Sequence, residues 1–254
     1  MFGWSINLFR IRGIQLAVHG SFLLLLAYAA FQGWQEGGLV SLLLNTGTLL
    51  AFFGCVVLHE LGHSFTAMHY GIGVRRILLM PIGGMAEFDS IPRQPSHELL
   101  ITLAGPAVNF LIAAVLWFFV GFADDNYEAS VAGFAQLLLY GNLVMGCFNI
   151  LPAFPMDGGR ILRAFLAMRL PYLRATFIAA TIGKVVCVLG VIYGLARWQS
   201  HPLLPFLFAF IYFAGESEYR AVQRREIEDA HWRAMLAAAY PPPVLTEEPP
   251  VLGP

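Results

Sequence analysis

The chain has 254 residues, of which 58% are apolar and only 12% are charged. Soluble domains carry about 25% charged residues, so this composition excludes an ordinary soluble domain and indicates an integral membrane protein. The formal net charge of −1 provides no basic surface that would indicate a nucleic-acid partner.

Six apolar segments are long enough to cross a lipid bilayer, which takes about 20 helical residues. In chain order they are residues 17–35, 38–68, 99–121, 131–151, 175–196 and 202–216. The second is too long for one untilted span, and two prolines interrupt the last. We therefore predict an all-α polytopic membrane protein with about six transmembrane helices.

The basic residues are distributed unevenly about these spans. Thirteen of the 15 Lys and Arg residues fall on one side of the predicted membrane. Because cytosolic segments carry an excess of Lys and Arg, we expect both termini in the cytosol. Lys184 falls inside the fifth span, where we expect it to snorkel or to form a structural ion pair.

Two segments outside the spans have strand-like patterns. Residues 6–19 alternate in part between apolar and polar side chains, which predicts a short strand or an interfacial segment. Residues 74–88 contain two apolar runs around the turn Pro81-Ile82-Gly83-Gly84, which predicts a membrane-associated β-hairpin. A sheet edge exposed to lipid leaves backbone groups unpaired, so the hairpin should be shielded by protein.

The second span contains the motif H-E-x-x-H, formed by His59, Glu60 and His63. On a helix, residues four apart share a face, so both imidazoles can reach one metal ion. Glu60 is one step round the helix, where it can act as general base toward a water that the metal acidifies. We predict a metal site here, and the alternative is two helical histidines without a metal.

A catalytic zinc needs a third protein ligand and an open position. The strongest candidate is Asp157, which follows the fourth span on a backbone interrupted by prolines and glycines. Spans two and four run in the same direction, so His59 and Asp157 both fall near cytosolic ends. The alternative for Asp157 is a turn or helix-cap aspartate. Weaker candidates for the third ligand are His69, Cys55, His97 and Glu98. The last two are expected to mark the interfacial start of span three.

Four motifs, in this order, resemble the site-2 protease family of membrane-embedded zinc metalloproteases. They are His59-Glu60-Leu61-Gly62-His63, Pro81-Ile82-Gly83-Gly84-Met85-Ala86, Ala104-Gly105-Pro106-Ala107-Val108-Asn109, and Asn149-x-x-Pro152-x-x-Pro155-x-Asp157-Gly158. The resemblance implies one zinc per chain, with His59, His63 and Asp157 as ligands and Glu60 as the catalytic base. It also implies that Asn149 positions the substrate or the oxyanion, and the alternative is a hydrogen bond to helix-terminal backbone.

The resemblance further implies regulated intramembrane proteolysis in a prokaryotic cytoplasmic membrane. The expected substrate is a single-span regulatory protein, cut in or near its transmembrane segment toward the cytosolic end. The hairpin would either offer an edge to an unwound substrate strand or pack as a lid. Because no PDZ-like insertion is recognisable and 39 residues after Gly215 are too few for a CBS pair, we expect a minimal family member.

Three regions are predicted along the chain. Residues 1–216 form the membrane-embedded metalloprotease domain, residues 217–239 a cytosolic helical segment, and residues 240–254 a Pro-rich disordered tail. The helical segment is expected to cover the cytosolic mouth or to pair with another subunit, or else to be simply solvated.

Two other functions could use the same metal site. The first is a membrane protein that transports or senses metal ions, because intramembrane His and Asp residues mark ion pathways. The second is a catalytically silent relative that only binds helices. Against transport, the sequence has no second line of polar residues across the bilayer, since Asn109 and Asn142 are expected to be isolated.

Overall fold

A computed structural model describes residues 4–90, 94–120 and 131–239, with side chains of the last range from residue 133 onward. The predicted disordered tail, residues 240–254, lies outside the described residues. The elements in chain order are β1 (Ser5–Ile11), β2 (Ile14–His19), α1 (Gly20–His69), β3 (Val74–Met80), β4 (Gly83–Phe88), α2 (Pro95–Val120), α3 (Val131–Ile150), α4 (Asp157–Ala167), α5 (Tyr172–Ala196) and α6 (Leu204–Ala239).

Helix α1 consists of two arms joined by a glycine break. The backbone leaves helical geometry at Gly37 and at Gly38, whose φ of 65° is left-handed. A Cβ added to Gly33 would lie 2.5 Å from the carbonyl oxygen of Ser41, whereas eight residues of straight helix span about 12 Å. The chain therefore reverses here, and the arms 20–36 and 39–69 correspond to the predicted spans one and two.

Within the described part of the chain, four helices are long and apolar enough to cross a membrane: α1, α2, α3 and α5. The sixth predicted span forms the start of α6, which continues without interruption to Ala239. The count of six crossings and the cytosolic termini stay predictions. An additional short helix, α4, occupies the predicted loop between spans four and five.

The helices expose apolar side chains and bury polar ones. On α2, Leu111 is 64% exposed and Trp117 is 67% exposed, whereas Asn109 is fully buried. On α5, Leu189 is 61% exposed while Thr176 is fully buried. Hydrocarbon favours this distribution, because polar groups in lipid must find partners inside the protein. The chain is thus a multi-pass membrane protein.

The four strands form one sheet in the order β1-β2-β3-β4. Strands β2 and β3 are parallel and connected through α1, and the two outer pairs are antiparallel. The predicted hairpin is confirmed as β3 and β4, while residues 6–19 form two strands instead of one. The chain is mostly helical, as predicted, but the predicted hairpin is half of a larger sheet.

One face of the sheet packs on α1. The buried apolar residues at this contact are Ile14, Leu16, Val18, Ile77 and Leu79 of the sheet and Phe22, Phe53, Val56 and Leu61 of α1. The protein therefore shields the sheet as the sequence required, and β4 is held beside the second arm of α1.

Helices α5 and α6 hold the loop between α3 and α4. A Cβ on Gly183 of α5 would lie 2.8 Å from Ala153 Cα, and one on Gly215 of α6 would lie 2.8 Å from the carbonyl oxygen of Phe154. Ala153 and Phe154 are almost fully buried in these contacts. The two glycines allow the close approach that fixes the backbone leading to Asp157.

Candidate metal centre

Three buried side chains from α1 and α4 converge. The Nε2 atoms of His59 and His63 lie 3.0 Å apart, and Asp157 Oδ2 lies 3.3 Å and 3.2 Å from them, respectively. Tetrahedral zinc with bonds of about 2.0–2.1 Å places its ligand atoms about 3.3 Å from one another. The triangle therefore has the dimensions of three zinc ligands that leave a fourth position open.

A backbone carbonyl fixes the protonation of His63. Its Nδ1 lies 2.8 Å from the carbonyl oxygen of Ile101 in α2, and a carbonyl oxygen can only accept a hydrogen bond. Nδ1 must therefore carry the proton in the neutral ring. Nε2 is left with a free lone pair that points at the other two ligand atoms.

A chain of two asparagines fixes the protonation of His59. Asn142 Nδ2 donates to the carbonyl oxygen of Leu138 over 2.8 Å, and Asn109 Nδ2 donates to Asn142 Oδ1 over 2.9 Å. Since the terminal carbonyl can only accept, both amide orientations follow. Asn109 Oδ1 then accepts from His59 Nδ1 at 2.5 Å, which again leaves Nε2 free for a metal.

The expectation that Asn109 and Asn142 are isolated is wrong. Both amides are fully buried, and a buried amide is stable only when it is hydrogen-bonded. The sequence did contain a signal for this pairing: both asparagines occur in apolar spans, and an intramembrane polar group requires a partner.

The donor set fits a cation. Two unprotonated Nε2 atoms and a carboxylate oxygen face one another, and Asp157 Oδ2 is buried with no hydrogen-bond partner among the described residues. Lone pairs at such distances repel unless a positive charge lies between them. His59, His63 and Asp157 are also the group of His, Cys, Asp and Glu side chains, within the described ranges, that can share one metal ion. We conclude that these residues suit zinc.

Gly105 of α2 makes room for the two imidazoles. A Cβ at this position would lie 2.2 Å from His63 Nε2 and 2.8 Å from His59 Cε1. Gly62 of α1 serves the same approach, because its Cβ would lie 2.8 Å from the carbonyl oxygen of Ala104. Small residues at this crossing let the helix axes come close, and α2 can then support both histidines.

Glu60 lies between the histidine pair and the sheet. Its side chain is partly buried and packs against β4, since a Cβ on Gly84 would lie 2.6 Å from Glu60 Cγ. Glu60 follows His59 directly in the chain and turns toward the strand, while His59 faces α2. The predicted base is therefore next to both the ligand group and an edge strand of the sheet.

Asp157 belongs to the cluster and is also the first residue of α4, so its position at a helix terminus does not exclude the metal role. The other sequence candidates are not members of this group. Asn149 is partly buried in the last turn of α3, eight residues before Asp157. Cys55 is buried in α1, one turn before His59. His69 ends α1, and the ring of His97 stacks on Tyr70 at 4.0 Å.

Two charged residues that the sequence analysis singled out, Glu98 and Lys184, form ion pairs. Glu98 lies in the first turn of α2, so it marks the start of this helix as predicted, and its side chain is buried against Arg163 of α4. Its position at the membrane interface stays a prediction. Lys184 confirms the predicted structural pair, because its Nζ lies 2.5 Å from Glu216 Oε2 in α6.

The chain is similar in sequence and in structure to known peptidases. A family model described as peptidase family M50 matches residues 47–125 and 121–190, which together make up more than half of the chain. The solved structure of a site-2 protease from Methanocaldococcus jannaschii aligns with a TM-score of 0.62 and 40% identity. The alignment covers 85% of this chain and 95% of that one.

Two curated relatives extend the comparison. A zinc metalloprotease of Methanocaldococcus jannaschii is 41% identical over 220 residues, which cover 87% of this chain and 62% of that protein. Stage IV sporulation protein FB of Bacillus subtilis is 28% identical over 199 residues, covering 76% of this chain and 64% of that protein. The chain thus spans about three fifths of the length of these relatives. The chain belongs to peptidase family M50, the family of zinc metalloproteases that includes the site-2 protease to which it is similar.

Proposed function

We propose that the chain is an intramembrane zinc endopeptidase. It hydrolyses a peptide bond in or near the transmembrane segment of a membrane-anchored regulatory protein. The observation that carries the proposal is the position of Glu60, beside the three converging ligand atoms and in contact with β4 through Gly84.

The reaction is hydrolysis with Glu60 as general base. Zinc held by His59, His63 and Asp157 would supply a Lewis acid for the scissile carbonyl and for the attacking water. Glu60 accepts one proton of that water as its oxygen bonds to the carbonyl carbon. When the C–N bond breaks, Glu60 donates the proton to the leaving nitrogen. Asn109 and the Ile101 carbonyl keep both imidazoles oriented throughout.

Strand β4 is the surface on which the substrate would be extended. A transmembrane helix hides its carbonyls in hydrogen bonds, so it must unwind before water can attack. As an edge strand of the sheet, β4 can pair with an extended backbone. Because Gly84 of β4 lies against Glu60, a paired backbone would pass close to that side chain. Asn149 would position the substrate or the oxyanion from the end of α3. A lid is the alternative role of the hairpin.

The proposed location is a prokaryotic cytoplasmic membrane. It is supported by the apolar helix exteriors and by the archaeal and bacterial origin of the named relatives. The excess of Lys and Arg on one side supports cytosolic termini. The six crossings would be the two arms of α1, then α2, α3, α5 and the apolar start of α6. The cut would lie toward the cytosolic end of the substrate.

Residues 217–239 of α6 are proposed to cover the cytosolic mouth of the site. Tyr219 packs on a cluster with Phe154, three residues before Asp157, which supports this role over a purely solvated helix. A chain ending at Ala239 should cleave normally. A chain ending at Glu218 should bind zinc but show altered cleavage or assembly. Wild-type cleavage and oligomeric state in the shorter chain would contradict the proposal.

The test is the substitution Glu60→Gln in the purified full chain, with a single-span model substrate in proteoliposomes. The change preserves size and hydrogen bonding but removes the base, so about one zinc per chain should remain while cleavage falls about 10²–10⁴-fold. Glu36→Gln is the matched control, since Glu36 is an exposed glutamate in the other arm of α1. It should change neither property.

The same preparations separate the alternatives. Cleavage at the wild-type rate in Glu60→Gln would refute the proposal that the chain is a protease with Glu60 as its base. Zinc flux into proteoliposomes that survives the substitution would support metal transport instead. Bound zinc with neither flux nor cleavage in the wild type would indicate a silent relative.

A further inference from the structure

A buried ion pair joins α2 to α4 away from the three ligand atoms. Arg163 Nε donates to Glu98 Oε1 over 2.9 Å, and Arg163 Nη2 donates to the same oxygen. Both side chains are only 4% exposed, and the two residues are 65 positions apart in the chain. The pair is a long-range link between two helices of the metal centre.

Each partner belongs to a helix that supports the ligands. Glu98 precedes Ile101 by one turn of α2, and the Ile101 carbonyl accepts the hydrogen bond from His63. Arg163 follows Asp157 by six residues in α4, about 9 Å along the helix axis. The pair therefore connects the helix that orients the imidazoles with the helix that presents the carboxylate.

The guanidinium of Arg163 also contacts both flanks of α4. Its Cζ lies 5.1 Å from the ring centroid of Phe154 and 5.1 Å from that of Tyr172. Phe154 is in the loop just before Asp157, and Tyr172 begins α5. Arg163 thus contacts the chain before α4 and the helix after it, so its side chain links both flanks of the helix that presents Asp157.

Stability does not explain the pair well. Burying two charges costs free energy that their attraction offsets only when all polar atoms are satisfied, and apolar residues of similar volume are often as stable. Here Glu98 Oε2 and Arg163 Nη1 are buried with no hydrogen-bond partner in the described part of the chain. What the pair provides, and an apolar contact would not, is a fixed direction between two helices.

We propose that Glu98 and Arg163 are positioning residues of the zinc site. Their ion pair sets the distance between the Asp157 carboxylate and the imidazoles of His59 and His63, and through it the affinity for zinc and the turnover rate. It has little effect on substrate affinity, because neither side chain reaches the surface. The inference rests on the proposed metal function.

The test uses the full chain with Glu98→Gln, Arg163→Met and the apolar double variant Glu98→Met/Arg163→Met. Zinc affinity is measured by competition with a chelator, and the visible spectrum of the Co²⁺-loaded protein reports the ligand geometry. Loss of a group that supports metal ligands lowers affinity about 10–100-fold. We expect such a loss in all three variants, with an altered cobalt spectrum, lowered kcat and unchanged KM. The double variant should melt at or above the wild-type temperature.

The control is Lys184→Met, which removes another ion pair, the one between α5 and α6, and should leave zinc affinity unchanged. A folded variant without the Glu98–Arg163 pair that binds zinc with wild-type affinity would overturn the proposal. Arg163→Lys is the fallback variant, since it keeps the charge but loses the two-pronged contact. If every variant, this one included, failed to fold, the pair would be structural and the proposal wrong. Zinc affinity needs no substrate, so failure of the protease proposal leaves this test intact.

Discussion

The contact of α2 with the two histidines predicts that Gly105→Ala weakens the metal site. The added methyl carbon would lie 2.2 Å from His63 Nε2, 2.4 Å from His63 Cε1 and 2.8 Å from His59 Cε1, whereas ordinary contact begins at 3.4 Å. To restore ordinary contact at 3.4 Å, α2 or the imidazoles would have to move by about 1.2 Å. Metal–ligand distances in a well-formed site lie within about 0.2 Å of their usual values, so a shift of this size would distort the ligand triangle.

The assay is zinc stoichiometry and chelator competition on Gly105→Ala, together with cleavage of the model substrate. A displacement of about 1 Å at a reacting centre costs about 10²-fold in rate. We therefore expect cleavage to fall at least that far and zinc affinity to fall about 10–100-fold. The membrane fold should persist, since α2 keeps its apolar exterior.

The matched control is Gly54→Ala, the same substitution in α1 at a position where a Cβ meets nothing within 4 Å. It should retain zinc and activity. If Gly105→Ala bound zinc as tightly as Gly54→Ala and cleaved at the same rate, the close approach of α2 would not support the metal site, and the reasoning would be refuted.

Three further substitutions separate the parts of the site. Asp157→Ala should lower bound zinc and cleavage together in a folded protein, and stoichiometric zinc in this variant would move the third ligand to another residue. Gly84→Val should displace Glu60 and lower kcat while zinc stays bound. Metal analysis and kinetics on the same preparation measure both properties, and loss of zinc would contradict the separate placement of base and ligands. Asn142→Leu removes the acceptor that orients Asn109, so chelator competition should show zinc affinity reduced about tenfold, and an unchanged affinity would exclude a role for the asparagine chain.

The sequence predicted the features that depend on local spacing. His59 and His63 share a helix face because they are four residues apart, and this follows from helix geometry alone. The apolar runs around Pro81 predicted β3 and β4 for the same reason, since strand periodicity and turn chemistry are local. Predicting Asp157 as the third ligand required one further argument. Spans two and four run in the same direction, so His59 and Asp157 are expected at the same depth in the membrane.

The features that escaped prediction depend on contacts between distant residues. The pairing of Asn109 with Asn142 and of Glu98 with Arg163 requires the packing of α2 against α3 and α4, which periodicity does not specify. The full size of the sheet was not predicted, because β2 pairs with β3 although the whole of α1 separates them in the chain. In each case burial of a polar or backbone group demanded a partner, but the sequence alone did not identify which one.

We propose above all that α1 and α4 together hold one zinc through two imidazoles and one carboxylate. X-ray absorption spectroscopy at the zinc edge of the purified full chain measures this ligand set directly. We predict two imidazole nitrogens and further oxygen, all at about 2.0–2.2 Å, with one imidazole lost in His63→Ala. A sulfur ligand at about 2.3 Å, which would place Cys55 in the site, or a spectrum with no imidazole contribution, would contradict the account.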